Sequence, residues 1–244
     1  MLRGSVAPLF DPERLDEAAL RTRYPGTFQI TPALVLPSRR RDTPHRQEHK
    51  PLPKVAVIVG SLRRESINRK LAKALAKLAG TALELELVNV SDLPHYNEDL
   101  WSDPPAAVTR LKQAIEAADA VLVVTPEYNR SMTGLTKDAV DWASRPWGKN
   151  SWKGKPGAVA GASGGKIGTA VAQSHLRNSL LVLDVELMGQ PEAYITVTPG
   201  LIDANFDVTD ETVRKFLVGF LAAFADWIGK VTGIMPEDGQ PDDV

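Results

Sequence analysis

From Lys54 onward, short apolar runs alternate with longer stretches of helical periodicity. Residues 54–60, KVAVIVG, form a β-branched run with a glycine at its end, which suits a strand covered on both faces. Ile67, Leu71, Leu75 and Leu78 then recur at helical spacing, and Gly80 stands where a helix C-cap belongs. Residues 83–90 alternate as a second strand, 105–118 read as a helix, and 120–126 as a third, fully buried strand. A helix over 134–144, a fourth strand over 156–162 and a long helix over 166–183 follow. Strand material at 185–189 and 193–197 precedes a closing amphipathic helix at about 208–231.

About five strands alternating with helices predict an α/β domain with a parallel sheet, right-handed crossovers and helices on both faces. Ligands of such a sheet sit outside the carboxyl ends of its strands, so the loops after the first, third and fourth strands are the expected site. The first fifty residues lack this rhythm. They hold a short helical candidate at 12–22, then Pro25, Pro32, Pro37 and the polar run SRRRDTPHRQEHKPLP, so 37–53 reads as a linker or flexible arm. The expected division is an N-terminal extension over 1–53, a domain over 54–232 and an acidic tail over 233–244.

Composition narrows the chemistry. The chain of 244 residues contains no cysteine, which removes thiol nucleophiles, disulfides and Cys-based metal sites and leaves oxygen and nitrogen side chains or a borrowed cofactor. A net charge of −1 gives no global field for nucleic acid. The balance is uneven: residues 1–50 carry nine Arg or Lys against six Asp or Glu, and the rest carry 20 against 24. Nothing approaches the roughly 18 apolar residues of a membrane span, and MLRGSVAPLF has no apolar stretch of signal-peptide length, so no membrane partner and a cytoplasmic location are expected. His45 and His49 fit the H-x-x-E-H pattern of zinc proteases, but they lie in a polar arm between Pro44 and Pro51. No metal site is expected.

The three loops carry the candidate chemistry. After the first strand, Ser61, Arg63, Ser66 and Asn68 converge with backbone N–H groups on a positive helix end, a cradle for a phosphate monoester. The bland alternative is a Ser66 cap beside solvated arginines. After the third strand, Pro126, Glu127, Tyr128 and Asn129 form a turn able to hold the edge of a flat heterocycle, although Pro and Asn are ordinary turn residues. After the fourth, Ser163, Gly164 and Gly165 open a glycine-rich loop that lets backbone approach a ligand. Neither G-x-G-x-x-G nor a complete P-loop is present.

The stretches GSLRRESINRKLA, VVTPEYNRSMTG with KDAVDW, and GASGGKIGTAVAQSHLR resemble the NAD(P)H-dependent FMN reductases, in particular their quinone and chromate reductase branch. The likeness covers about 54–227. It implies a flavodoxin-like three-layer α/β/α sandwich with a five-stranded parallel sheet and FMN held noncovalently. By the same resemblance, Ser61, Arg63, Ser66 and Asn68 hold the FMN phosphate. Pro126, Glu127, Tyr128 and Asn129 hold the isoalloxazine and its pyrimidine edge, and Ser163, Gly164 and Gly165 close the pyrimidine side. NADPH or NADH is the implied co-substrate, a quinone-like molecule the acceptor, chromate a further one, and a homodimer or homotetramer the assembly. This chain departs from the family at Thr133, where Pro is common, at Asp138, where Asn is common, and at Gly164, where Pro is frequent.

A flavin would make a protein nucleophile unnecessary, so no catalytic side chain is expected and the cycle implied is ping-pong hydride transfer through the cofactor. Two other classes compete: a flavodoxin-type electron carrier and a non-catalytic flavin-binding sensor. A mildly acidic core and Arg63 lean against the carrier.

Overall fold

The computed structural model describes residues 52–233. The readings of the 12–22 segment, of the arm up to residue 51, of His45 and His49 and of the acidic tail beyond Gly233 lie outside the described residues.

The predicted alternation is present. Strands β1 (Lys54–Val59), β2 (Glu84–Val88), β3 (Ala120–Val124) and β4 (Pro156–Ser163) are linked by helices α1 (Ile67–Ala79), α2 (Ala106–Ala117) and α3 (Gly134–Ser144). Helix α4 (Ala170–Leu181), short strands β5 (Glu186–Leu187) and β6 (Ala193–Thr196), and helix α5 (Glu211–Thr232) complete the order. All strand pairs are parallel in the order β2-β1-β3-β4-β5, with β6 also on β4. The five expected strand positions are therefore filled by six strands. Pro156 and Gly157 pair with Glu186 and Leu187, and Ala160–Ser163 pair with Ala193–Thr196, so β5 and β6 share one edge of β4 on either side of an excursion.

Period-two patterning sends alternate residues to two cores. Val55, Val57 and Val59 of β1 face Leu71 and Leu75 of α1 and Phe220, Phe224 and Ile228 of α5. Ala56 and Ile58 face the other way, against Leu111 and Ile115 of α2, Val140 and Trp142 of α3, and Leu176 and Leu180 of α4. The result is a three-layer α/β/α sandwich. Strand β4, PGAVAGAS, is small because its neighbours come close: a Cβ on Gly157 would stand 2.5 Å from Val185 Cγ1.

Several boundaries differ from the expected ones for identifiable reasons. The third strand stops at Val124 because Thr125 and Pro126 turn away as a loop. Helix α4 begins at Ala170, not Lys166, because the glycine loop runs on to Gly168, which has φ 62° and lies against the backbone of Tyr194. Helix α5 begins at Glu211, where the Asp210 side chain accepts from Val213 N–H and caps it. Trp142 and Trp152 are fully buried core residues, and Trp147 is exposed.

Candidate functional site

The loops after β1, β3 and β4 meet in one cleft at the carboxyl ends of the strands. Nine of the eleven residues singled out in the sequence line it: Ser61, Arg63, Ser66, Asn68, Pro126, Glu127, Tyr128, Ser163 and Gly164. Asn129 and Gly165 sit in the same loops without lining it. The cleft holds about 120 Å³ and opens to solvent.

The loop after β1 turns sharply at Gly60, whose N–H donates to Val124 O at 2.9 Å. Glycine is required there because a Cβ would stand 1.9 Å from Thr136 Oγ1. Ser61 and Ser66 are buried, and Ser66 caps α1 by accepting from Arg69 N–H at 3.1 Å. The N–H groups of Ile67 and Asn68, in the first turn of α1, have no carbonyl to serve within the helix. They add to the positive end of the helix dipole, and exposed Arg63 adds a full charge. Buried hydroxyls, unspent N–H groups and one guanidinium around a small opening suit a phosphate monoester. An isolated Ser66 cap explains neither the buried Ser61 nor an arginine lining the same cleft.

The loop after β3 is a two-residue hairpin. Tyr128 N–H donates to Ser131 O and Ser131 N–H donates to Tyr128 O, each at 3.0 Å, while Asn129 and Arg130 take φ values of 51° and 64°. This turn holds Tyr128 half exposed beside the cleft. The Glu127 carboxylate turns inward, accepts from Val171 and Ala172 N–H at 3.0 and 3.1 Å, and so caps α4 from a distant loop. That cap replaces the one Thr169 does not provide, since the Thr169 side chain makes no capping bond.

The loop after β4 folds around Ser163, whose Oγ donates to Gly168 O at 2.5 Å and accepts from Gly165 N–H at 3.2 Å. Gly164 has nothing within 4 Å of where a Cβ would stand, so its face is open toward a ligand.

Side-chain ties join these loops pairwise. Asn68 Nδ2 donates to Ala162 O and its Oδ1 accepts from Ala162 N–H, both at 2.8 Å, which joins the first loop to the third. Thr133 Oγ1 donates to Gly60 O at 2.8 Å, which joins the first loop to the head of α3. Glu127 joins the second loop to the helix that follows the third. Asn68 thereby acts on the cleft through the backbone it pins, and the Glu127 carboxylate is engaged by the head of α4.

Sequence reasoning missed the threonines behind the cleft. Thr136 Oγ1 lies 3.1 Å from Thr125 Oγ1 and 2.9 Å from Thr133 Oγ1, all three buried, and Thr169 fills the space that a Cβ on Gly161 would need. The Thr133-x-x-Thr136 spacing before a helix is a cap signature and was readable; the contacts to Gly60 and Thr125 were not. Asp138 accepts from Tyr96 N–H and from His95, which holds the 94–97 segment against α3. Among the described residues no group of three His, Asp or Glu side chains is placed to hold a metal, and no helix is long and apolar enough to cross a membrane.

A parallel sheet in this order, flanked by helices and opening at the carboxyl ends of its strands onto a cleft lined by three loops, defines a flavodoxin-like α/β protein. Residues 53–199 match the model of the NADPH-dependent FMN reductase family, and the chain belongs to that family. It is 52% identical over 175 residues to a 2-hydroxy-1,4-benzoquinone reductase of Burkholderia sp, covering 72% of this chain and 96% of that one. A quinone reductase of Pseudomonas putida is 49% identical over 175 residues, covering 71% and 94%. Among solved structures, the flavoenzyme FerB of Paracoccus denitrificans, an NAD(P)H:(acceptor) oxidoreductase, superposes with a TM-score of 0.71 at 56% identity, covering 73% of this chain and 98% of that one. The protein is thus an oxidoreductase that works with FMN and NAD(P)H.

Proposed function

We propose that this protein is an FMN-dependent NAD(P)H oxidoreductase that reduces quinones in a ping-pong cycle. The observation that carries the reading is the convergence of buried Ser61 and Ser66, the free N–H groups at the head of α1 and Arg63 on one cleft. The quinone reductases to which the chain is similar support the choice of acceptor.

In this reading Ser61, Arg63 and Ser66 hold the FMN phosphate, with Asn68 fixing the loop that presents them. Pro126, Glu127, Tyr128 and Asn129 meet the isoalloxazine and its pyrimidine edge through the backbone and the Tyr128 ring, and Ser163, Gly164 and Gly165 close the pyrimidine side. When bound, FMN would supply the redox chemistry between NAD(P)H and the acceptor. The chain's own task is to bind, to orient and to keep the cradle rigid. Preformed ties lower the ordering cost of binding and hold the loops where a planar ring needs them.

A homodimer or homotetramer belongs to the same proposal. Leu62, Tyr128 and Ile167, one on each loop, are exposed apolar residues beside the cleft that a second copy would cover. Sedimentation of the purified chain tests this.

The full chain should purify yellow with one FMN released per chain on denaturation. Anaerobic NADPH or NADH should bleach it, and 1,4-benzoquinone should restore the colour. A colourless protein that FMN cannot reconstitute overturns the reading, and a yellow protein that neither dinucleotide bleaches leaves a carrier or sensor. Chromate as acceptor in the same assay tests the wider substrate range.

A further inference from the structure

Arg130 holds a backbone conformation that its side chain disfavours and puts its charge to little local use. Two-residue hairpin turns with positive φ at both central positions take Asn, Asp or Gly first and Gly second. Asn129 obeys this rule, whereas Arg130, at φ 64°, stands in the glycine position. A Cβ in the left-handed region is strained, and strain kept in a loop that lines a cleft through Pro126, Glu127 and Tyr128 points to a working side chain.

Among the described residues the guanidinium meets one partner, Glu127, with Nη1 3.3 Å from Oε1, and the Arg130 side chain is 64% exposed against 10% for Glu127. Glu127 does not depend on it, because Oε2 is satisfied by the Val171 and Ala172 N–H groups and by the positive end of α4. Arg130 can therefore turn toward an incoming anion while the Glu127 carboxylate keeps the two N–H donors on Oε2. Arg63 lines the cleft among the residues read as holding the FMN phosphate, and Lys166 offers a single ammonium on an exposed glycine loop. Arg130 instead presents a planar fork from a hydrogen-bonded turn, two residues from the half-exposed Tyr128 ring.

We propose that Arg130 captures a phosphate group of the nicotinamide dinucleotide at the mouth of the cleft. This rests on the reading of the cleft as the FMN site of an NAD(P)H oxidoreductase. Both the pyrophosphate of NADH and NADPH and the 2′-phosphate of NADPH alone carry the required chemistry.

The test uses the FMN-loaded full chain with Arg130→Gly, which also removes the strain, and Arg130→Asn, which tolerates the same backbone. Calorimetry measures binding of NADP+ and NAD+, steady-state kinetics gives KM and kcat for NADPH and NADH, and denaturant midpoints report folding. Both variants should keep FMN and unfold at or above the wild-type midpoint. Dinucleotide affinity should fall about tenfold, as for loss of one charge-assisted contact, with KM raised and kcat kept. An equal loss for both dinucleotides places the contact on the pyrophosphate, and a loss confined to NADP+ and NADPH places it on the 2′-phosphate. Unchanged affinity and KM for both overturns the proposal, as does loss of FMN from either variant, which would make Arg130 a support of the flavin loop. A wild-type protein that neither dinucleotide reduces refutes the underlying oxidoreductase reading instead.

Discussion

The loop at 60–68 leaves its donors open, whereas the loop at 125–131 closes on itself. The first has N–H groups at the head of α1 with no internal acceptor, and an arginine exposed beside them. The second spends the N–H and C=O groups of Tyr128 and Ser131 on a hairpin and the Glu127 carboxylate on α4, and takes two left-handed residues to do so. The contrast matches two kinds of ligand surface. A phosphate is recognised by donors aimed at it, which must stay free until it arrives. A flat ring needs a stiff edge that does not move, and internal bonding supplies stiffness.

The first loop is rigid only because other elements hold it, so removing its supports should have the largest effect. Gly60→Ala drives a Cβ into Thr136 Oγ1 and the hydroxyl group that ties the loop to α3; we expect a stability loss of about 3 kcal/mol in denaturant titration, together with loss of FMN. Gly164→Ala, where the space is open, should leave the midpoint at the wild-type value. The pair separates glycine as close packing from glycine as open face.

Asn68→Ala strips partners from both polar groups of buried Ala162 and should cost about 2–3 kcal/mol by chemical denaturation. A loss below 0.5 kcal/mol, roughly the level of an exposed polar change, would show that water replaces the amide and that the loop is not pinned there.

Arg63→Ala sharpens the comparison from the other side. The residue is exposed and lines the cleft, so the fold should be untouched while FMN binds about tenfold more weakly, read by fluorescence of released flavin. An unchanged FMN affinity would remove the phosphate from this loop.

Thr133→Val keeps the shape and deletes one hydroxyl, which both caps α3 and donates to Gly60 O; about 1 kcal/mol should be lost. The smallest effect concerns Tyr194, behind the third loop, where burial first and then Glu192 push the phenol up to about 12. Its folded value exceeds the unfolded value of about 10, so both states are protonated below pH 10 and stability is flat there on this account. Between pH 10 and 12 only the unfolded chain releases the proton, and stability should fall; Tyr194→Phe should abolish that slope in pH-dependent denaturation.

Much of this architecture is written in short-range pattern. The β-branched run at 54–59 and the all-buried run at 120–124 can hardly be other than central strands, and α3 begins and ends where its periodicity does. The three loops were legible because turn residues and hydroxyls cluster at the ends of those strands. The edge of the sheet was less so: β5 and β6 are two and four residues long, and their sharing of β4 depends on pairing with a strand thirty residues earlier.

Side-chain direction was the part hidden from the sequence. Glu127 is a plausible flavin ligand by position, yet its carboxylate caps a helix 44 residues away in the chain, because a buried charge goes to the nearest unsatisfied N–H groups. Thr125, Thr133 and Thr136, which the sequence does not single out as a group, form one buried hydroxyl cluster between the end of β3 and the head of α3. Local propensity and hydrophobic period, acting over a few residues, were enough to determine the strand and helix order and the place of the cleft. Which polar groups face a ligand and which brace the loops was decided only when distant segments met, since hydrogen-bond partners are assigned by proximity in space.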